Sequence, residues 1–408
     1  APADIDTAFS DFMPTFGLNM RQFDMMMKIY KILSQKYDVV CTNPPYMGGS
    51  GMNVKLSEFV KSKFPDYKSD LFSTFVIRCT QLCKAEGYLG FLTPYVWMFI
   101  QSYEKMRNYI YSTRTIETLI QFEYSAFEEA TVPICTFALK NSKVNKKGVY
   151  LRLTDFRGGM EVQRQKTLEA IADHKCGYYF ETNSANFSKI PGSPVAYWVS
   201  ENFIRAFERG ISIDSISDFT GSQHITANND KYLRLHWEID ANKVGMGKKW
   251  VYYAKGGDFR KWYGNIELVV DWSEGAVQYY KTNSTSNLLA EKYRFKEGIT
   301  YTELTSSVNT FRYLPPVCIF DKKGPSIVSV KKLWYCLGIF GTKIAPLYFA
   351  ILNPTLSTQV RDVKNLPIIV NGEIEPKIDE IVKENVEICK QDWNDFETSW
   401  GFEKHPLI

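Results

Sequence analysis

The chain has 408 residues, of which 45% are apolar and 23% are charged, and its net charge is +4. These values are typical of a globular protein of two or three domains and exclude a largely disordered chain. No run of about 18 uninterrupted apolar residues occurs, and the first residues carry no basic-then-apolar leader pattern, so we expect neither a membrane span nor a signal peptide.

The eight cysteines are scattered without a Cys-x-x-Cys pair, and the four histidines are dispersed. This pattern indicates free thiols in a reducing compartment, so we expect a cytoplasmic protein. A structural metal site needs clustered Cys or His ligands, and none is predicted.

Apolar spacing and turn residues predict alternating helices and strands over the first 140 residues. Ser69 and Gly87 are interpreted as the start and end signals of one helix. Helices are expected at 20–35, 55–65, 69–87 and 103–113, and strands at 38–42, 88–94, 115–122 and 132–140. Such alternation is typical of an α/β fold with a mainly parallel sheet.

The composition changes after residue 140. Residues 140–175 contain nine Lys or Arg against four Asp or Glu, and we interpret 141–175 as a basic linker. From 176 to 408 the chain is rich in Tyr, Trp, Gly and Asn. Short strands of a second domain are predicted there at 250–257, 266–272, 299–304 and 311–321.

The stretch "YDVVCTNPPYMGG" (37–49) places a strand directly before Asn43, Pro44, Pro45 and Tyr46. Because proline has no N–H and a fixed φ, the two prolines cannot donate and hold the turn in one extended shape. The Pro44 carbonyl and the Asn43 carboxamide oxygen can then converge on one amino group. Cys41 is expected to be buried, and this chemistry needs no cysteine nucleophile.

Tyr46 adds a flat face on which a planar ring can stack, and an amino group on a planar ring describes adenine or cytosine. A base must leave the duplex to enter such a pocket. Hydrogen bonds that favour a tetrahedral amine nitrogen would restore its nucleophilicity, so that it could attack a methyl sulfonium directly. The simpler alternative is a strand-to-loop turn with a buried tyrosine.

These residues resemble the catalytic motif of the adenine-N6 DNA methyltransferases. The similarity continues through "SDLFSTFVIRCTQLCKAEGYLGFLTPYVWM" (69–98) and "YSAFEEATVPICTFALK" (124–140). The later stretches resemble PglX-type methyltransferases of phage-exclusion systems and single-chain restriction-modification enzymes. They are "ANFSKIPGSPVAYWVSE" (185–201), "KGGDFRKWYGN" (255–265), "FDKKGPSI" (320–327) and "LNPTLSTQVRDVKNLPI" (352–368).

The resemblance implies a role for individual residues. Asn43 and the Pro44 carbonyl would bind the target amine, and Tyr46 and Phe127 would pack on the flipped base. Phe75 would touch the adenine ring of S-adenosylmethionine, with Asp70 close to the cofactor edge. Residues 1–140 would then be the carboxyl-terminal part of a catalytic domain with a partial Rossmann-like sheet lacking its first strands. Residues 176–408 would be a mixed α/β target-recognition domain.

The resemblance also raises an expectation about the cofactor. The family's Gly-rich cofactor loop lies upstream of the Asn-Pro-Pro-Tyr motif, whereas Gly17 is the only glycine before Asn43 here. We therefore expect an incomplete cofactor site, a chain that corresponds to the carboxyl-terminal portion of a longer protein, and uncertain activity for the chain alone.

The expected partner is double-stranded DNA, with other subunits of a phage-defence system as further partners. Polar and basic side chains of the second domain are candidate contacts to base edges and phosphates. They are Gln223, His224, Asn228, Asn229, Lys248, Lys249 and Arg260.

Two other functions are compatible with the motif. One is a DNA-binding specificity module without catalysis of its own. The other is a protein methyltransferase that modifies a glutamine amide, since a carboxamide is also a planar amino donor. Such enzymes are compact, so the about 230 residues beyond 176 argue against this second alternative. No nuclease site is predicted.

Overall fold

The computed structural model describes residues 20–124, 126, 132–219, 223–304, 308–353 and 357–408. The chain divides into two compact units, one formed by Ala1–Ser188 and Gly192–Trp198, the other by Lys189–Pro191 and Val199–Ile408. A strand (Gly148–Arg152) and a helix (Gly159–Ala172) of the first unit lie inside 141–175, where we expected a linker. Three of the eight basic residues there lie in these two elements, and the other five lie in the loops that flank them.

In the described residues the first unit contains a six-stranded sheet and five α-helices. The strands, β1 to β6, are Tyr37–Thr42, Cys83–Pro94, Thr115–Gln121, Ile134–Lys140, Gly148–Arg152 and Tyr179–Thr182. The helices, α1 to α5, are Met20–Ser34, Val54–Lys63, Leu71–Leu82, Glu104–Thr113 and Gly159–Ala172.

The strand order is β1-β2-β4-β3-β5-β6. β1 pairs with β2 in parallel and β3 pairs with β5 in parallel, whereas β4 is antiparallel to both of its neighbours and β6 is antiparallel to β5. The α/β prediction is confirmed, but the expectation of a mainly parallel sheet is wrong. Antiparallel pairs need no long crossover, and the pattern of apolar residues does not distinguish the two directions.

Two local expectations also differ from the structure. Helix α3 begins after Asp70 rather than Ser69, and it ends at Leu82 because the next residues pair with β1 as part of β2. Cys41 is exposed rather than buried. It lies on β1, where Val40 packs against the core while its neighbours Val39 and Cys41 are exposed.

The second unit has a four-stranded sheet, a three-stranded sheet and a two-stranded pair in the described residues. The strands, β7 to β15, are Ile211–Ser212, Leu233–Leu235, Trp250–Ala254, Leu268–Asp271, Gly298–Tyr301, Phe311–Leu314, Cys318–Phe320, Ser326–Val328 and Pro367–Ile368. The helices, α6 to α12, are Glu201–Arg209, Asn229–Tyr232, Glu274–Thr282, Leu333–Gly341, Ala345–Leu352, Val360–Lys364 and Glu375–Asn394.

The sheets of this unit run in the orders β13-β9-β10-β8, β12-β11-β14 and β15-β7. Most pairings are antiparallel, but β13 is parallel to β9. Among the described residues, no single helix is both long and apolar enough to cross a membrane. Helices α9 and α10 meet that criterion only together, across a bend of 79°.

Candidate active site

Four strands of the first unit end at the same edge of the sheet. The pairing directions place the carboxyl ends of β1, β2, β3 and β5 together, since these four strands run the same way. Ligands of open α/β sheets bind outside the carboxyl ends of the strands. Asn43 follows the last residue of β1 directly, so the Asn-Pro-Pro-Tyr motif lies at this edge.

The four residues of the motif differ in burial. Pro44 is buried, whereas Asn43 and Pro45 are exposed and Tyr46 keeps 39% of its surface accessible. The buried proline anchors the turn with a fixed φ while its neighbours face solvent. A ligand can therefore reach the Asn43 carboxamide and the Tyr46 ring.

The Tyr46 hydroxyl donates a hydrogen bond to Oδ1 of Asn43 at 2.9 Å and also lies 3.2 Å from the Leu92 carbonyl. Partial burial raises the pKa of Tyr46 above its usual value, with the nearby Cys135 adding to the effect, so the phenol remains a donor at neutral pH. A carboxamide oxygen has two lone pairs and can accept a second hydrogen bond. The Tyr46 hydroxyl thus holds the Asn43 carboxamide while its oxygen can still accept a second hydrogen bond, a contact that the sequence did not predict.

Asp70 holds the loop that follows the motif. Its Oδ1 accepts hydrogen bonds from the backbone N–H of Met47 at 3.0 Å and of Phe72 at 3.1 Å. The Leu71 N–H also donates to the Met47 carbonyl at 2.9 Å. Asp70 therefore caps helix α3 and fixes the motif loop with one oxygen. Aspartate is a common N-cap residue, but the adjacent Ser69 is one too, so the sequence alone did not show which of the two begins the helix.

Phe72 completes the support of the motif. Its ring lies edge-to-face against Tyr46, with centroids 6.5 Å apart, and 5.2 Å from the ring of Tyr103. Phe72 is only 1% exposed, so it gives Tyr46 a fixed wall on one side.

Cys135 lies near the motif but is not a nucleophile at neutral pH, because burial raises the pKa of its thiol to about 12.

Phe75 lines an apolar cavity of about 570 Å³ between helices α2 and α3. Leu71, Phe59 and Phe64 contribute further apolar walls, and Arg78 lies at the same cavity. Because Phe75 is 37% exposed, its ring is accessible. These residues fit a flat heterocycle such as adenine. Phe127 lies outside the described residues.

Two of the candidate base-reading residues in the second unit are buried. Gln223 is 4% exposed and His224 is 0% exposed, so neither side chain can reach a base edge in this structure. The imidazole of His224 packs against the rings of Tyr280 and Tyr253, at centroid distances of 4.6 and 5.6 Å. The prediction that these two side chains contact base edges is therefore wrong for this structure.

Asn228 and Asn229 are exposed but already have hydrogen-bonding roles. Asn228 accepts from the Lys231 N–H at 3.0 Å and caps helix α7, while Asn229 accepts from the Thr226 hydroxyl at 2.7 Å. Each amide keeps its N–H₂ group available for another acceptor. A DNA contact by either residue stays a prediction.

The basic candidates lie at the surface. Lys248 and Lys249 are exposed, and the Lys249 ammonium lies 5.6 Å from the centroid of the Trp250 ring. Arg260 forms an ion pair with Asp392 at 3.1 Å and stacks 4.6 Å from the Trp393 centroid. Its charge is therefore partly compensated within the protein, and the two lysines are better placed for phosphate contacts.

Residues 6–127 match the family described as Eco57I restriction-modification methylase. The adenine-specific methyltransferase BrxX of Escherichia coli O9:H4 (strain HS) is 33% identical over 391 residues, covering 92% of this chain and 31% of BrxX. The adenine-specific methyltransferase PglX of Lacticaseibacillus casei (strain Zhang) is 31% identical over 406 residues, covering 94% of this chain and 33% of PglX.

A solved structure supports the fold over most of the chain. The type IIL restriction-modification enzyme MmeI, determined in complex with DNA, aligns with a TM-score of 0.55 at 10% identity, over 90% of this chain and 52% of MmeI. At that identity the likeness concerns the fold alone. The chain spans about a third of the length of BrxX and PglX. By its sequence, the chain is similar over most of its length to the adenine-specific methyltransferases BrxX and PglX, and its residues 6–127 match the Eco57I restriction-modification methylase family.

Proposed function

We propose that the chain carries the base-binding site of an S-adenosylmethionine-dependent methyltransferase that modifies the exocyclic N6 amine of a flipped adenine in DNA. The observation that carries the proposal is the Asn43 carboxamide at the end of β1, oriented by the Tyr46 hydroxyl at 2.9 Å. BrxX and PglX are both named adenine-specific methyltransferases, which supports the choice of base.

In this proposal the two N–H bonds of the adenine amine are accepted by Oδ1 of Asn43 and the carbonyl of Pro44. Both acceptors draw the nitrogen toward a tetrahedral geometry, so its lone pair leaves the ring system and becomes available. The exposed ring of Tyr46 stacks on the extruded base, and the buried ring of Phe72 supports Tyr46 from one side. Stacking of this kind contributes about 1–3 kcal/mol per base.

S-adenosylmethionine supplies an electrophilic methyl group on a sulfonium. We propose that Phe75 and its apolar cavity bind the adenine ring of this cofactor. We further propose that the cofactor site is incomplete in this chain. Helix α1 and the edge strand β1 leave Met26, Ile29 and Val39 each about half exposed or more, as expected if further polypeptide packs there.

We assign target recognition to the second unit, as part of a restriction-modification or phage-exclusion system in the cytoplasm. Other subunits of such a system are proposed partners. The support is the similarity to PglX and BrxX across both units, together with the exposed Lys248 and Lys249. Phosphate contacts of this kind position a protein on DNA, whereas base contacts provide sequence specificity.

The catalytic proposal is tested with Asn43→Ala, measuring tritiated methyl transfer to adenine-unmethylated DNA in a version of the protein that binds cofactor. Transfer should be abolished while DNA binding, measured by fluorescence anisotropy, is largely retained. Asn145→Ala is the matched control, because Asn145 is exposed and precedes the amino end of β5, at the opposite edge of the sheet. Methyl transfer that survives in Asn43→Ala would refute the role of this residue.

A titration of the chain with S-adenosylmethionine tests the second proposal. Weak binding by this chain and tight binding by a version extended at the amino end would support an incomplete site. A chain that binds DNA but no cofactor in either version would instead be a specificity module without catalysis.

A further inference from the structure

The 255–265 loop of the second unit, between β9 and β10, presents an aromatic side chain to solvent. Phe259 is 58% exposed, whereas its sequence neighbour Trp262 is half-buried and Tyr263 is 4% exposed. The residues on either side of Phe259 in the chain are the charged Asp258 and Arg260.

Hydrogen bonds fix the backbone on both sides of Phe259. The Thr302 hydroxyl donates to the Gly257 carbonyl at 3.1 Å, and Nδ2 of Asn265 donates to the Asp258 carbonyl at 2.7 Å. Beyond Phe259, the guanidinium of Arg312 lies 3.4 Å from the Arg260 carbonyl. The aromatic side chain is therefore presented by a backbone that is already ordered.

The end of the loop is paired with strand β12. The Trp262 N–H donates to the Phe311 carbonyl at 3.1 Å, and the Tyr313 N–H donates to the Trp262 carbonyl at 2.8 Å. Trp262 and Asn265 both have positive φ, at 67° and 62°. Non-glycine residues keep such angles only where the surrounding contacts determine them.

The start of the loop requires its two glycines. Gly256 has a φ of 84°, and a Cβ there would lie 2.8 Å from the Lys323 carbonyl oxygen. Gly257 has a φ of 124°, and a Cβ would lie 2.9 Å from the side chain of Asn265. The loop thus has one conformation that few other residues at these positions would allow.

The charges around Phe259 favour a polyanion. Lys255 and Lys261 form no ion pair within the described ranges, and the Lys261 ammonium contacts only the Gly341 carbonyl there, at 3.1 Å. Arg260 is paired with Asp392, and Asp258 carries the opposing charge next to Phe259. Phe396 is also 52% exposed, with its ring centroid 5.9 Å from the Arg260 guanidinium, so exposed rings and charged groups occur together here, whereas the core of a protein interface is depleted in charge.

We propose that Phe259 is an apolar wedge that inserts between two stacked base pairs of DNA bound by the second unit. Lys255 and Lys261 would contact the phosphates that flank the opened step. Such insertion kinks DNA and exposes more of it to a protein, and the energy of unstacking depends on the base step. The wedge would therefore contribute to target choice without a hydrogen bond to any base. This inference depends on the proposed DNA recognition by the second unit.

The test uses the complete chain and a DNA duplex that the wild-type chain enriches from a randomised library, with 2-aminopurine placed along it. Wild-type binding should raise 2-aminopurine fluorescence at one step. Phe259→Ala should remove that rise and weaken binding by on the order of tenfold to a hundredfold. Phe259→Leu should retain part of both, since an aliphatic side chain can also act as a wedge.

Ile388→Ala is the matched control, because Ile388 on α12 is exposed to the same 58% and should change neither readout. The salt dependence of binding should be unchanged in Phe259→Ala and weaker by about one unit in Lys261→Ala. If Phe259→Ala binds the duplex as tightly as the wild type, the wedge proposal is overturned while DNA recognition by the second unit stands. If Phe259→Ala binds more weakly but still raises the 2-aminopurine fluorescence as the wild type does, the wedge proposal is also overturned. Failure of the wild-type chain to enrich any duplex would overturn both proposals.

Discussion

Arg107 in the first unit and Arg312 in the second are almost completely buried, at 0% and 1% exposure, but their hydrogen bonds differ. The Arg107 guanidinium donates to the carbonyls of Trp97, Ile100 and Gly192, with the shortest bond to each at 2.6, 2.8 and 2.7 Å. The three contacts of Arg312 are all 3.3–3.4 Å long, and its Nε has no partner among the described residues.

The two buried arginines therefore differ in their effect on stability. Arg107, on helix α4, hydrogen-bonds the start of the segment 192–198, and the Tyr111 hydroxyl of the same helix donates to the Ser193 carbonyl at 3.1 Å. Burial lowers the pKa of Arg312 to about 10, which reflects weak compensation of its charge. Well-bonded groups of this kind stabilise the fold, whereas poorly compensated ones reduce stability and need another explanation.

The largest expected effect is on Arg107. Arg107→Met should destabilise the first unit by about 3–5 kcal/mol, because three buried carbonyls lose their donor. Urea unfolding followed by circular dichroism measures the loss.

Arg312→Met is the matched variant and should change stability by less than about 1 kcal/mol or increase it, since an apolar side chain of similar length needs no hydrogen bonds. Equal losses in the two variants would contradict the contrast between the units.

His224 tests the same contrast through pH. Both ring nitrogens are buried without a hydrogen-bond partner in the described part of the chain. Burial, with Arg294 adding to it, lowers the pKa of His224 to about 3. Below about pH 6.5, His224 is therefore protonated in the unfolded chain but not in the folded one. The free energy of unfolding is highest above that pH and falls by about 1.4 kcal/mol per pH unit below it, or by about 2 kcal/mol at pH 5.

Hydrogen exchange of Trp250–Ala254, measured at about pH 7 and about pH 5 and corrected for the intrinsic rate, should show this loss of protection. His224→Phe should remove most of the pH dependence, because the ring contacts remain and the titrating group is gone. His405→Gln, at an exposed position, should leave it unchanged. A pH dependence that persists in His224→Phe would place its origin elsewhere.

His224 also shows where reasoning from sequence reaches its limit. The stretch "GSQHITANND" is polar, and polar stretches are usually solvated loops. The rings that bury this histidine come from Tyr253, Trp272 and Tyr280, which lie 29 to 56 positions further along the chain. Local composition carries no information about such distant partners.

The Asn-Pro-Pro-Tyr motif was easier to locate, because its constraints act within a few residues. A strand followed by two prolines determines where the acceptors lie, and the structure places Asn43 at the end of β1 as expected. The direction of β4 depends on contacts between segments that are distant in the chain. The same is true of the hydrogen bond by which Asp70 holds the Met47 N–H of the motif loop. The spacing of apolar residues predicts neither the strand direction nor this hydrogen bond.

Asp70 provides a smaller effect that sharpens the comparison. Asp70→Ala should destabilise the first unit by about 1–2 kcal/mol, because a helix cap is lost and the Met47 N–H loses its acceptor. Methyl transfer should fall more steeply than stability, since the motif loop is no longer held. Asp70→Asn retains an acceptor oxygen and should recover most of both. Chemical denaturation and initial rates measure the two quantities. Equal defects in Ala and Asn would indicate that the charge of Asp70 matters more than its hydrogen bonds.

The smallest effect is expected at Tyr46, whose hydroxyl donates to the Asn43 amide that we propose binds the target amine. Tyr46→Phe keeps the ring that we propose stacks on the base but removes the hydrogen bond to Oδ1 of Asn43. A neutral hydrogen bond contributes about 1 kcal/mol, so kcat should fall about fivefold with little change in KM for DNA. Tyr46→Ala should also raise KM, because stacking is lost. If Tyr46→Phe raised KM and left kcat unchanged, the hydroxyl would be contributing to base capture and not to the orientation of Asn43. In that case a polar side chain of the first unit would bind the substrate directly, in addition to the polar side chains such as Arg107 that stabilise the fold.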